Sequence, residues 1–217
     1  MTQSIIKAKD MPFCPGCGHG IAIKNLSKAL EEAGHNPLDV IVVSDIGCAG
    51  LVDPVLATHT IHGLHGRAPA LALGISLGLS NPGKKVLAIQ GDGGATIGLQ
   101  HLLEAARRNV DMTLIVLNNL LYGMTGGQMS GLSTLEFKAG RQIEDDAPPF
   151  DIVRLTHEAG AAYSSRVTAP GDFKTHFAEA LATPGFALVE VACLCPSHGV
   201  GKMKELVSVA SGDLGLA

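Results

Sequence analysis

Tryptophan is absent from this chain, and aromatic residues make up only 4% of it. A β-sandwich cored by large rings is therefore a poor fit. No run of lysine or arginine occurs and the formal net charge is −4, which leaves no electrostatic footprint for nucleic acid or an anionic membrane surface. No apolar segment is long and unbroken enough to span a bilayer, and Met1 to Lys7 lacks the basic start and apolar stretch of a secretory signal. The expectation is a cytoplasmic protein with neither nucleic acid nor membrane as a partner. Charged residues are scarce as well, at 17% against 46% hydrophobic, and the mean hydropathy of +0.28 implies apolar surface covered by another subunit.

What the chain does have is glycine, 27 of its 217 residues, which suits tight turns, close helix packing and backbone-lined sites. The length suits one domain over residues 1–217, with Cys-rich segments near each end. Hydrophobic periodicity predicts an α/β fold, a mostly parallel sheet with helices on both faces. Helical spacing runs from Ile21 to Ala33 and stops at Gly34, with Pro37 beyond. Val40 to Val43 reads as a buried strand, and Cys48 is placed at its carboxyl end, where open α/β sheets hold their ligands. A helix rich in small residues, implying close packing, is expected from about Arg67 to Leu79, ending at Asn81-Pro82-Gly83. Val86 to Ile89 is the next strand, Gly91-Asp92-Gly93-Gly94 a turn, Ile97 to Arg108 a helix and Thr113 to Leu117 a strand. That order describes a βαβ crossover. From Asn118 to Pro149 no period is clear and a long functional loop is expected. Helices over Phe150 to Ala159 and Asp172 to Leu181 and a strand over Phe186 to Val191 close the chain.

Two constellations carry chemistry. In the first, Gly91-Asp92-Gly93 is followed after 24 residues by Asn118-Asn119, the length of one crossover helix and strand, so both ends meet at the carboxyl edge of the sheet. Mg²⁺ takes oxygen ligands from one or two side chains and from phosphate. Asp92, Asn119 and the backbone carbonyl of Leu121 are the candidate donors, while Gly91, Gly93 and Gly94 admit backbone amides to a diphosphate near the positive end of the following helix. A Gly-Asp-Gly triplet alone is more often a plain turn; the flanking strands and paired asparagines reverse that reading. The pattern resembles the thiamine-diphosphate signature of the superfamily that contains transketolase and pyruvate decarboxylase. A dinucleotide fingerprint fits worse, since no Gly-x-Gly-x-x-Gly opens the helix.

The second constellation is Cys14-Pro15-Gly16-Cys17-Gly18-His19, then Cys48, Cys193 and Cys195. Thiolates at C-x-x-C spacing with two more from strand ends suit a four-iron cluster or a structural zinc; the pair alone would also suit a redox dithiol. A zinc on His59, His62 and His65 is conceivable from spacing, but nearby loop histidines without a carboxylate are an unusual set.

Phe13 to Gly20, Gly47-Cys48, His65-Gly66-Arg67-Ala68, Gly91-Asp92-Gly93 and Asn118-Asn119 with Tyr122 to Gln128 together resemble, in order, the β subunit of 2-oxoacid:ferredoxin oxidoreductases. The resemblance implies thiamine diphosphate, Mg²⁺ and a [4Fe-4S] cluster on Cys14, Cys17, Cys48 and Cys195. Cys195 is preferred over Cys193 because Pro196 follows it. It also implies that Gly47, Cys48, Ala49, His65, Tyr122, Gly123, Met124 and Thr125 lie near the cofactor, with His65 as the catalytic candidate. The reaction implied is CoA-dependent oxidative decarboxylation of a 2-oxoacid, 2-oxoglutarate being the reading chosen, with electrons passed to ferredoxin. No glutamate here is a candidate for activating thiamine. The resemblance implies that a partner α subunit supplies it, in a heterodimer or a dimer of heterodimers. A split-subunit non-oxidative decarboxylase and a non-catalytic iron–sulfur module are the competing readings.

Overall fold

Aliphatic runs form the inner strands. The structure, a computed structural model, describes residues 3–81, 83–169 and 173–214. Its main sheet has six strands: β1 (Val40–Ser44), β2 (His59–His62), β3 (Lys85–Gly91), β4 (Met112–Asn118), β7 (Tyr163–Ala169) and β8 (Phe186–Cys193). They lie in the order β2-β1-β3-β4-β8-β7, and every pairing is parallel. Parallel strands need crossovers, and these are α2 (Ala68–Gly78), α3 (Asp92–Ile97) with α4 (Leu99–Arg108), α6 (Ile152–Ala159) and α7 (Lys174–Ala182). Helix α1 (Gly18–Glu32) precedes β1.

Because side chains alternate along a strand, each central strand feeds two cores. Leu87 and Ile89 of β3 pack with Ile23, Leu26 and Leu30 of α1 and Phe177 and Leu181 of α7. Val86 and Ala88 pack on the other face with Ala72 of α2, Leu102 and Ala105 of α4 and Ile152 of α6. Both faces are therefore covered by helices, as the near-continuous apolar runs of β3, β4 and β8 require.

Several expectations need correction. β3 passes through Gly91 directly into helix at Asp92, so Gly91-Asp92-Gly93-Gly94 is a strand-to-helix junction rather than a free turn. The helix expected from Ile97 to Arg108 is interrupted at Gly98, where an added Cβ would lie 2.0 Å from the Gly66 carbonyl oxygen; the close approach of that loop sets the break. The small residues of α2 do not all serve packing within the chain, since a Cβ at Gly74 or Gly78 would meet nothing within 4 Å. The stretch after Asn118 contains a two-stranded ribbon, β5 (Leu121–Tyr122) with β6 (Gln128–Met129), and the short helix α5 (Leu135–Ala139). Helix α8 (Met203–Leu214) follows the last strand. Of the expected boundaries, Pro82 and Asp172 lie outside the described residues. Among the described residues no helix is long and apolar enough to cross a membrane.

Candidate active site

At the carboxyl end of β3, Asp92 begins α3 with its side chain buried. One carboxylate oxygen, Oδ1, accepts the Gly93 N–H at 2.9 Å. The other, Oδ2, is buried with no hydrogen-bond partner. Burial raises the Asp92 carboxyl to about 7, and the neighbouring Ser130 hydroxyl and the Gly93 and Leu121 amides only partly oppose the rise. A buried carboxylate with an open oxygen costs several kcal/mol unless a cation or donor meets it. This oxygen is thus a natural cation ligand.

A second buried carboxylate shapes the wall beside it. Asp45, directly after β1, accepts the Gly66 N–H at 2.9 Å and faces His65 Nδ1 at 3.4 Å. With Nδ1 turned to Asp45, Nε2 of His65 is left toward Gly93, whose added Cβ would lie 3.5 Å from it. Gly94 has no alternative residue here, because a Cβ would lie 1.7 Å from Asp45 Oδ2. At the sheet edge, Ser44 Oγ donates to Asp53 Oδ2 at 2.7 Å, and His62 Nδ1 lies 2.6 Å from the same oxygen. This clamp ties β2 to the 3₁₀ segment Cys48–Val55, so Cys48 begins a held segment four residues past β1 rather than sitting at the strand's end.

β4 ends at Asn118, and the chain turns through Asn119 and Leu120 into β5. Leu120 adopts φ +67°, a left-handed conformation unusual for leucine. Asn118 does not face the cavity: its Oδ1 accepts the Leu120 N–H at 2.9 Å. Asn119, 7% exposed, does line it, as does Leu121. Ser133 Oγ donates to the Leu120 carbonyl at 2.5 Å and closes the turn from the far side.

The cysteines gather at the same end of the sheet. Cys17 is the N-cap of α1, and its N–H donates to the Cys14 carbonyl at 3.0 Å. Burial pushes the Cys17 thiol up to about 11, and the nearby sulfurs of Cys195, Cys48 and Cys14 add to the rise. Cys48 is raised by burial and then by Cys195, Cys14 and Asp92. Ser197 Oγ lies 3.1 Å from Cys14 Sγ, which brings the Cys195 loop onto the C-x-x-C segment. Cys193 differs: it is fully buried in the core beneath α1, and a Cβ at Gly18 would lie 2.9 Å from it. Among the described residues no three His, Cys, Asp or Glu side chains converge as a single-ion metal site.

These elements enclose a cavity of about 580 Å³. Every residue expected near the cofactor lies in its wall: Gly47, Cys48 and Ala49 after β1; His65; Gly91, Asp92, Gly93 and Gly94 at the junction; and Asn119, Leu121, Tyr122, Gly123, Met124 and Thr125 after β4. Thr125 is engaged within the ribbon, donating to Gln128 Oε1 at 2.6 Å. The wall also holds His19, Ile46, Thr96, Ile97 and Gly131, which sequence reasoning did not assign to it. His19 is buried with Nδ1 unpartnered, and burial lowers its imidazole to about 4, so it is neutral. The signal for it was present, two residues after Cys17. The only carboxylate of the wall among the described residues is Asp92, and no glutamate lines it.

Residues 45–191 match the family model described as thiamine pyrophosphate enzyme, C-terminal TPP binding domain. The chain is 40% identical over 199 residues to 2-oxoglutarate synthase subunit KorB of Archaeoglobus fulgidus, covering 90% of this chain and 73% of that one. It is 38% identical over 196 residues to the KorB subunit of Methanothermobacter thermautotrophicus, covering 86% and 66%. It thus spans two thirds to three quarters of the length of these relatives. Among solved structures it is similar to the 2-oxoglutarate:ferredoxin oxidoreductase from Magnetococcus marinus with 2-oxoglutarate, coenzyme A and succinyl-CoA bound. The TM-score there is 0.80 at 27% identity, over 94% of this chain and 75% of that one.

Proposed function

The chain belongs to the thiamine pyrophosphate enzymes and, within them, to the β subunits of 2-oxoacid:ferredoxin oxidoreductases, and from that premise we propose that its cavity holds thiamine diphosphate with Mg²⁺ beside a [4Fe-4S] cluster. The observation that carries this reading is Cys48, which lines the cavity and stands among the thiols of Cys14, Cys17 and Cys195.

The donor set fits each group. The open Oδ2 of Asp92, the Asn119 side chain and the Leu121 carbonyl would hold Mg²⁺. The glycines from Gly91 to Gly94 and the ribbon from Tyr122 to Thr125 would bound the diphosphate. A four-iron cluster takes one thiolate per iron, so its ligands need not converge on one point. Cys195 suits it better than Cys193, which is packed into the core. When bound, thiamine diphosphate supplies the nucleophile and electron sink that decarboxylation of a 2-oxoacid needs. The chain's own part is to bind, orient and exclude water. His65, turned by Asp45, presents Nε2 at the cavity wall, and neutral His19 lies between the C-x-x-C segment and the cavity. With no glutamate in the wall, a partner α subunit supplies the residue that activates the thiamine ring and completes the cavity. The substrate is 2-oxoglutarate, the 2-oxoacid in the names of these relatives and bound in the solved structure, with CoA as acyl acceptor and ferredoxin as electron acceptor.

Co-expression with the α subunit and anaerobic purification should give a brown complex carrying about four irons per β chain. CoA-dependent dye reduction should be fastest with 2-oxoglutarate across a panel of 2-oxoacids. A colourless, iron-free and fully active complex would overturn the oxidoreductase reading. Fast turnover of pyruvate alone would overturn the substrate.

A further inference from the structure

A buried charge outside the cavity wall is wired to the turn that carries two of the proposed metal ligands. Glu190, 1% exposed, interrupts the apolar run of β8. Its Oε2 accepts from Arg166 of β7, Nε at 3.0 Å and Nη2 at 2.9 Å. Its Oε1 accepts from Asn118 Nδ2 at 2.7 Å. A carboxylate only accepts, so Asn118 must turn its NH₂ toward Glu190 and its carbonyl away. That carbonyl is the oxygen that receives the Leu120 N–H. Leu120 stands between Asn119 and Leu121 and holds a left-handed conformation that leucine does not choose for itself.

We infer that Glu190 is a positioning residue for the Asn119–Leu121 turn, acting through the orientation of the Asn118 amide, with Arg166 fixing which oxygen Glu190 offers. The inference rests on the Mg²⁺–thiamine diphosphate reading of the cavity. It assigns Asn118 a purpose distinct from its neighbour: Asn119 faces the cavity, whereas Asn118 braces the backbone at Leu120, just beyond it.

Glu190→Gln tests the wiring. Arg166 also bonds Asp151 Oδ1 at 2.8 Å, but its Nε and Nη2 both stay aimed at the position of Oε2, where an NH₂ would set donor against donor, so the new amide oxygen turns to Arg166 and the new NH₂ faces Asn118. Asn118 must then flip, setting its own NH₂ against the Leu120 N–H. The β chain, co-expressed with the α subunit, is titrated with Mg²⁺ at saturating thiamine diphosphate by calorimetry, and its thermal unfolding is followed without cofactor. Glu190→Gln should weaken Mg²⁺ at least roughly tenfold, in line with other residues that orient metal ligands. The double variant Arg166→Met with Glu190→Gln removes the competing charge, lets the amide oxygen return to Asn118, and should restore most of the affinity. Equal Mg²⁺ affinity in wild type and Glu190→Gln overturns the inference and leaves the cofactor reading intact. Wild-type protein that binds no Mg²⁺–thiamine diphosphate overturns the reading and the inference together. Should Glu190→Gln fail to fold, Asn118→Ala decides, because it removes the acceptor of the Leu120 N–H: Mg²⁺ binding weakened at least roughly tenfold supports the wiring, and wild-type affinity overturns it.

Discussion

Glycine is required by geometry at one position of this chain and merely permitted at another, and the two can be told apart by measurement. At Gly94 a methyl group would occupy the place of the Asp45 carboxylate, which in turn holds the Gly66 amide. Gly94→Ala should therefore cost about 1–3 kcal/mol or more, as overpacking does, and abolish binding of thiamine diphosphate. At Gly74, on the exposed face of α2, the methyl group meets nothing. Gly74→Ala should stabilise the isolated chain by about 0.5–1 kcal/mol, the usual gain in a helix interior. Denaturant unfolding of both variants checks the pair; equal effects would mean that the junction relaxes freely around Asp45. Cys193, the last residue of β8, and Cys195, two residues beyond it, separate in the same way. Cys195→Ser should lower the iron content, whereas Cys193→Ser should keep the iron and lose stability, because a hydroxyl replaces a thiol in a closed apolar core. Iron analysis beside thermal unfolding reads both, and retained iron in Cys195→Ser would sink the assignment.

Where elements join, side chains do the joining. Helix α4 ends at Asn109 in a left-handed conformation, φ +46°, which glycine would adopt without strain. Yet Asn109 Oδ1 also receives the Phe186 N–H at 2.7 Å and the Ala162 N–H at 3.2 Å, tying the helix end to the entries of β8 and β7. Asn109→Gly should thus destabilise by about 1–3 kcal/mol, the loss of those bonds outweighing the backbone gain; chemical denaturation measures it. The same distinction explains what the sequence disclosed. β1, β3, β4 and β8 lie inside the sheet and read as apolar runs. β2, His-Thr-Ile-His with every residue exposed, and β7, which carries Ser164, Ser165 and Arg166, are the two edges and carry no such run. Pairing with a neighbour, rather than composition, makes them strands. The cavity was legible wherever a motif named its residues. Ile46, Thr96, Ile97 and Gly131 carry no chemistry of their own and reach the wall only through packing, while the buried role of Asp45 depends on a loop twenty residues away.

Taken as one body, the chain covers both faces of its sheet with helices and leaves its carboxyl edge open. Ile97 and Met124 line the cavity and yet are 56% and 62% exposed, so water reaches apolar side chains at the mouth of a site that decarboxylation chemistry would keep dry. Among the described residues, no glutamate lines the wall. One partner surface would meet both needs, covering the rim and delivering the carboxylate. If so, the rim residues matter for assembly and little for folding. Ile97→Glu and Met124→Glu should each leave the unfolding midpoint of the isolated chain within about 0.5 kcal/mol of wild type, as exposed substitutions do. Both should prevent co-purification with the α subunit, because a charge placed in a buried apolar rim lacks a partner. Size-exclusion chromatography of the co-expressed pair reads the outcome directly. A stable, active complex carrying both substitutions would show that the partner sits elsewhere and that the cavity is closed by other means.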